Sequence, residues 1–164
     1  MTEHQENIRK LADLIKGIDI AMLTTTSADG RLVSRPLATQ EVEFDGDLWF
    51  ATSADSHKVA EIRANPRVNV AYASRDRNDY VSVSGLAQVV DDRARTAQLW
   101  TPAMKAFFPG GPDDPDLRLI RVAVESAEYW DGPGTVFGKA LHFLMSAASE
   151  NPRVLAENET LQIR

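Results

Sequence analysis

The sequence predicts a mainly β protein with flanking helices, a small antiparallel barrel of about six strands in one domain. Three observations predict it. Apolar, β-rich segments recur from residue 18 to residue 130, and most are separated by short turn signals such as Asp29-Gly30 and Asp45-Gly46. Helical periodicity is confined to the ends and corners of the chain. The 164 residues, 43% of them hydrophobic, suffice for one well-filled core.

In chain order, Ile8, Leu11, Ala12 and Ile15 recur at helical spacing among charges, so residues 4–16 read as an amphipathic helix stopped by Gly17. Strands follow in IDIAMLTTT (18–26), RLVSRPLATQEVEF (31–44) and DLWFAT (47–52). Asp-Gly favours the positive φ of tight hairpins, so these three read as an antiparallel meander. Residues 56–64 suit a short helix closed by Asn65-Pro66. VNVAYAS (68–74) and YVSVSGLAQVVDD (80–92) are strands, the second with Gly85 as a candidate bulge. Residues 93–107 are helical in pattern, PGGPDDPD (109–116) is a loop, and LRLIRVAVESAEYW (117–130) is the last expected strand. Val136, Ala140, Phe143, Leu144 and Ala147 predict a C-terminal helix over about 135–148, followed by a short polar tail.

Composition narrows the function classes. The net charge of −6 argues against general nucleic-acid binding, which needs a basic face. A small anionic ligand stays compatible, because a few local donors can hold it. Without cysteine there is no disulfide, no thiolate nucleophile and no cysteine-ligated metal. The polar start MTEHQENIRKL has no apolar signal core, and no run approaches the roughly 20 apolar residues of a membrane span. No membrane association and a cytoplasmic location are expected.

The strongest local feature is Thr52-Ser53-Ala54-Asp55-Ser56-His57-Lys58, where a strand gives way to a helix. Unpaired N–H groups in a first helical turn bind anions, hydroxyls of Thr52, Ser53 and Ser56 add donors, and Lys58 adds charge. The same residues would also serve as a plain cap, with Ser53, Asp55 or Ser56 capping and Lys58 solvated. Arg35-Pro36-Leu37 is the second oddity, since proline is confined to edges and bulges of a sheet. Arg35 either meets an anion inside or lies exposed on an edge strand. Trp130, Trp100 and Phe107-Phe108 could each cover a ligand or an interface, and packing roles are expected for them.

G-x-G-x-x-G, Walker A and G-x-S-x-G motifs are all missing. His4, His57 and His142 have no metal-site spacing. Redox chemistry here would therefore belong to a bound cofactor.

In order, the pieces resemble the FMN-binding split barrel of the pyridoxamine 5′-phosphate oxidase superfamily, and more narrowly its small general stress proteins. MLTTTSADGRLVSRPLA (22–38), LWFATSADSHKVAEIRANPRVNVAY (48–72), YVSVSGLAQVVDD (80–92) and VAVESAEYWDGPG (122–134) carry the likeness. The resemblance implies a non-covalently bound FMN, with FAD as the alternative, at the interface of a homodimer. Ser34, Arg35, Pro36 and Leu37 would lie along the flavin ring, with Ala51 and Thr52 at the strand end beside it. Ser56, His57 and Lys58 would match the Ser-Arg-Lys group that grips the phosphate, with His57 in place of an arginine. Tyr80 falls near the position where the oxidase's partner subunit supplies a glutamine, and Trp130 matches a late tryptophan. The oxidases' final Arg-x-His signature is replaced by EYWDGPGTVFGKALHFL, so pyridoxamine phosphate oxidation itself is not expected. The implied function is a flavin-dependent oxidoreductase of unknown substrate or, alternatively, a non-enzymatic flavin reservoir or sensor.

Overall fold

A computed structural model describes residues 1–131 and 157–164, with only the main chain at residues 157 and 158. The helix expected over about 135–148 lies outside the described residues.

Helix α1 (Glu3–Ile15) begins in a capping box: Thr2 Oγ1 accepts from the Gln5 amide while Gln5 Oε1 accepts from the Thr2 amide. Its periodic face buries Leu11 and Leu14, and Gly17 follows at φ +77°. Strands β1 (Ile20–Thr26) and β2 (Leu32–Ala38) form the expected hairpin, with Gly30 at φ +85° in its turn.

The meander ends there. Strand β3 (Asp47–Ser53) does not pair with β2 but with β6 (Leu117–Asp131), at the far side of the sheet. The Asp45-Gly46 turn serves this docking rather than a hairpin: Gly46, at φ +113°, accepts the Val124 amide through its carbonyl at 3.0 Å. With β4 (Arg67–Ser74) and β5 (Asp79–Val90), the sheet runs β2-β1-β4-β5-β6-β3, each of these pairings antiparallel. Helix α2 (His57–Ala64) lies between β3 and β4 in sequence. Pro36 thus sits on an edge strand, where its missing N–H breaks no second ladder.

A seventh strand stands where a polar tail was expected. Strand β7 (Glu157–Gln162) pairs with the second half of β6, while β3 takes its first half. Leu161 and Ile163 point into the core, and Arg164 clasps Asp47 at 2.9 Å. The alternation of Leu161 and Ile163 amid polar residues is a strand signal too short to stand alone.

The expected bulge is real. The β5–β6 register shifts between Ser84 and Gly85, where a Cβ would lie 2.5 Å from the Ala123 carbonyl oxygen. The helix expected over 93–107 is instead α3 (Arg93–Leu99), an extended Trp100-Thr101, and a 3-10 turn at Pro102–Ala106. Pro102 forces its predecessor out of helical conformation. Phe108 is buried with Leu99, Met104, Leu117 and Leu119, and Trp100 packs against them. Phe107 departs from the packing expectation at 79% exposure. The main core lies between α1 and the inner faces of the strands, with Phe50, Leu23, Val70, Val83 and Ile120 at its centre.

Candidate functional site

The strand-to-helix corner at 52–58 is built by β3 ending and α2 beginning four residues after Ser53. Ser56 occupies the position before α2, yet its side chain caps no helix amide. Its hydroxyl instead lies 3.1 Å from Thr52 Oγ1, which also accepts from Lys58 Nζ at 3.1 Å. Among the described residues, the His57 and Lys58 amides have no acceptor, the orphan state that favours an anion.

Arg35 joins this corner from β2. Its guanidinium donates to Thr25 Oγ1 and, at 2.9 Å, to Glu61 on α2, whose carboxylate also accepts the Thr25 hydroxyl. Arg35 is therefore neither exposed nor free; 19% of its side chain and 15% of that of Glu61 remain accessible. Burial, then the positive charge of Arg35, lowers the pKa of Lys58 below the usual lysine value, and Glu61 only partly opposes this. No carboxylate among the described residues comes within 4.0 Å of Lys58 Nζ. Glu61 is thus held by Arg35, and no ion pair joins it to Lys58.

The other expected site residues fall elsewhere. Ser53 Oγ donates to Asp116 at 2.6 Å, and the Ala54 amide also bonds Asp116, so Ser53 tethers the 109–116 loop to the corner. His57 is exposed, and Ala51 faces the second hydrophobic cluster. Leu37 shares the inner side of β2 with Arg35 and packs against the main core. Ser34 and Pro36 face outward, opposite Thr24 and Met22. Tyr80 and Trp130 pair directly across β5 and β6 on that outer face. Sheet order puts Tyr80 three strands from β2, roughly 14 Å at the usual strand spacing. Among the described residues, neither Tyr80 nor Trp130 shares a hydrogen bond or ion pair with Arg35, Thr52, Ser56 or Lys58. Their neighbours Ile20, Met22, Ala71 and Ala73 line a shallow depression of about 320 Å³.

Sequence reading missed Thr25, Glu61 and Asp116. Thr25 and Glu61 looked like ordinary strand and helix polar residues, and only the fold places them around Arg35. Among the described residues no cluster of His, Asp and Glu has metal-binding geometry, and no helix is long and apolar enough to cross a membrane.

The architecture is that of an antiparallel split-barrel-like protein with Lys58 and two unpaired amides at a strand-to-helix corner. A profile of the family described as pyridoxamine 5′-phosphate oxidase like matches residues 6–152, and the chain belongs to this family. Within it, the general stress proteins are its relatives. It is 29% identical over 157 residues to protein bli-3 of Neurospora crassa, covering 90% of this chain and 75% of that protein. The general stress FMN/FAD binding protein of Xanthomonas citri superimposes with a TM-score of 0.67 at 30% identity, over 77% of this chain and 89% of that one. General stress protein 26 of Bacillus anthracis gives 0.65 at 26% identity, over 78% and 94%.

Proposed function

We propose that this chain binds FMN non-covalently, with its phosphate in the Lys58 corner and its ring along Ser34–Leu37 and the end of β3. The carrying observation is Lys58 itself, a partly buried cation with no carboxylate within ion-pair reach among the described residues, beside the unmatched amides of His57 and Lys58. A phosphate dianion supplies what that corner lacks, and Thr52 and Ser56 stand ready as hydroxyl donors. FAD offers its pyrophosphate to the same groups and is the alternative ligand. The name of the Xanthomonas citri relative supports the flavin reading.

The ring's second face would be covered by another copy of the chain, bringing Tyr80 and Trp130 across a homodimer interface. This is favoured by the apolar outer face around Ile20, Met22 and Tyr80. Bound flavin supplies electron or hydride transfer, and the chain's residues hold and orient it. Glu61, the carboxylate beside Arg35 and Thr25, is already engaged by Arg35, which favours a second reading: a flavin reservoir or sensor without acid–base catalysis.

Fluorescence titration with FMN tests the assignment. Lys58→Ala should weaken binding about 10- to 100-fold, the worth of one charge-assisted hydrogen bond. Equal affinity of variant and wild type would refute the phosphate site. Stopped-flow reduction by NADH or NADPH then separates the two readings: turnover well above that of free flavin means an enzyme.

A further inference from the structure

We propose that the cavity beneath α1 is a second ligand site, which takes a small organic cation with an aromatic body. The cavity holds about 960 Å³ between α1, the loop at residues 39–44 and β3. That volume is in the range of small-molecule sites. None of Arg35, Thr52, Ser56 or Lys58 lines it, so it is separate from the flavin corner.

Its wall is apolar and partly aromatic, with Ile8 and Ala12 from α1, Phe44 from the loop, and Leu48 and Phe50 from β3. Tyr72 adds one polar group. It projects inward from β4 at 4% exposure, borders the cavity, and its hydroxyl has no hydrogen-bond partner among the described residues. Burial raises its pKa, so it stays a neutral phenol able to donate or accept.

The rim selects the sign of charge. Asp13, Asp19, Glu41 and Glu43 line it, and none is in an ion pair among the described residues. Arg9, Lys16 and the amino group of Met1 are the rim's cations, while Asp47 is already matched by Arg121 and Arg164. Four open carboxylates against Arg9, Lys16 and the Met1 amino group leave a net negative mouth over an apolar floor. An apolar body with an ammonium group satisfies both, and an anion of the same shape is repelled.

A matched pair of probes tests this by calorimetry: 2-(1-naphthyl)ethylamine and 1-naphthylacetate share a ring and differ in the sign of the charge. The amine should bind saturably, one per chain, at least about tenfold tighter than the acetate. Tyr72→Phe should weaken it several-fold. Ala12→Trp and, as a second filling variant on the loop, Val42→Trp should each abolish it, with folding checked by circular dichroism. Saturating FMN should not displace it, and Lys58→Ala should leave it unchanged. The proposal is overturned if no saturable binding occurs below about 1 mM, if both probes bind alike, if folded filling variants still bind, or if FMN displaces the amine.

Discussion

Arg35 and Glu61 hold each other at 2.9 Å, joining the edge strand β2 to helix α2. The pair answers the question raised by an arginine in mid-strand, and it leaves Lys58 without an ion-pair partner among the described residues.

The pair should carry stability. Glu61→Gln leaves a mostly buried guanidinium without its counter-charge and should cost about 1–3 kcal/mol in urea unfolding. FMN binding should be no weaker, because the corner gains net positive charge. Weaker binding would show that Arg35 reaches the anion only when Glu61 positions it.

Lys58 gives a pH signature whose sign is fixed. Its pKa in the fold is depressed, so the cost of its charge is fully present below that pKa and relieved as pH rises toward 10.5. Lys58→Met should therefore leave the flavin-free protein at least as stable at pH 7, with the difference shrinking at alkaline pH. FMN phosphate is already dianionic above about pH 7. As pH rises through the depressed pKa of Lys58, wild-type affinity should fall toward that of Lys58→Met, whose own affinity stays flat. Parallel curves for the two proteins would remove Lys58 from the phosphate site.

Gly85→Ala should destabilise by about 3 kcal/mol, since its Cβ would meet the main chain of Ala123 rather than a movable side chain. A shift of the urea midpoint too small to resolve would mean that the bulge relaxes freely.

The C-terminal strand should prove to be core. Ile163 is 1% exposed, so Ile163→Ala should cost about 2–5 kcal/mol in chemical unfolding. A near-neutral change would contradict the docking of β7.

The proposed dimer is tested at Met22, which is 40% exposed on the outer face beside Ile20 and Tyr80. At a two-fold interface Met22→Arg brings like charges together, and light scattering should show dimer for wild type and monomer for the variant. A wild-type monomer of 18.1 kDa in the presence of FMN would dismiss the dimer.

Local chemistry made much of this protein legible in its sequence. Periodicity and capping located α1, α2 and strands β1 to β6, because each is set by neighbours a few residues away. Gly85 marked its bulge, and 52–58 announced a corner with both a capping and an anion-binding reading. Pairing was different. Asp45-Gly46 looked like a hairpin, but whether β3 lies on β2 or β6 depends on which partner buries Leu48 and Phe50, a choice made across some 70 residues of chain. Strand β7 was illegible for the same reason: its apolar residues matter only against β6. At LWFATSADSHK the sequence supplied the donors, but tertiary structure decided how they are used. It turned the Ser56 hydroxyl to Thr52 instead of the helix cap, took Ser53 for Asp116 and gave Glu61 to Arg35. Donor types are local properties, whereas a charge left over is a sum over everything the fold brings near it.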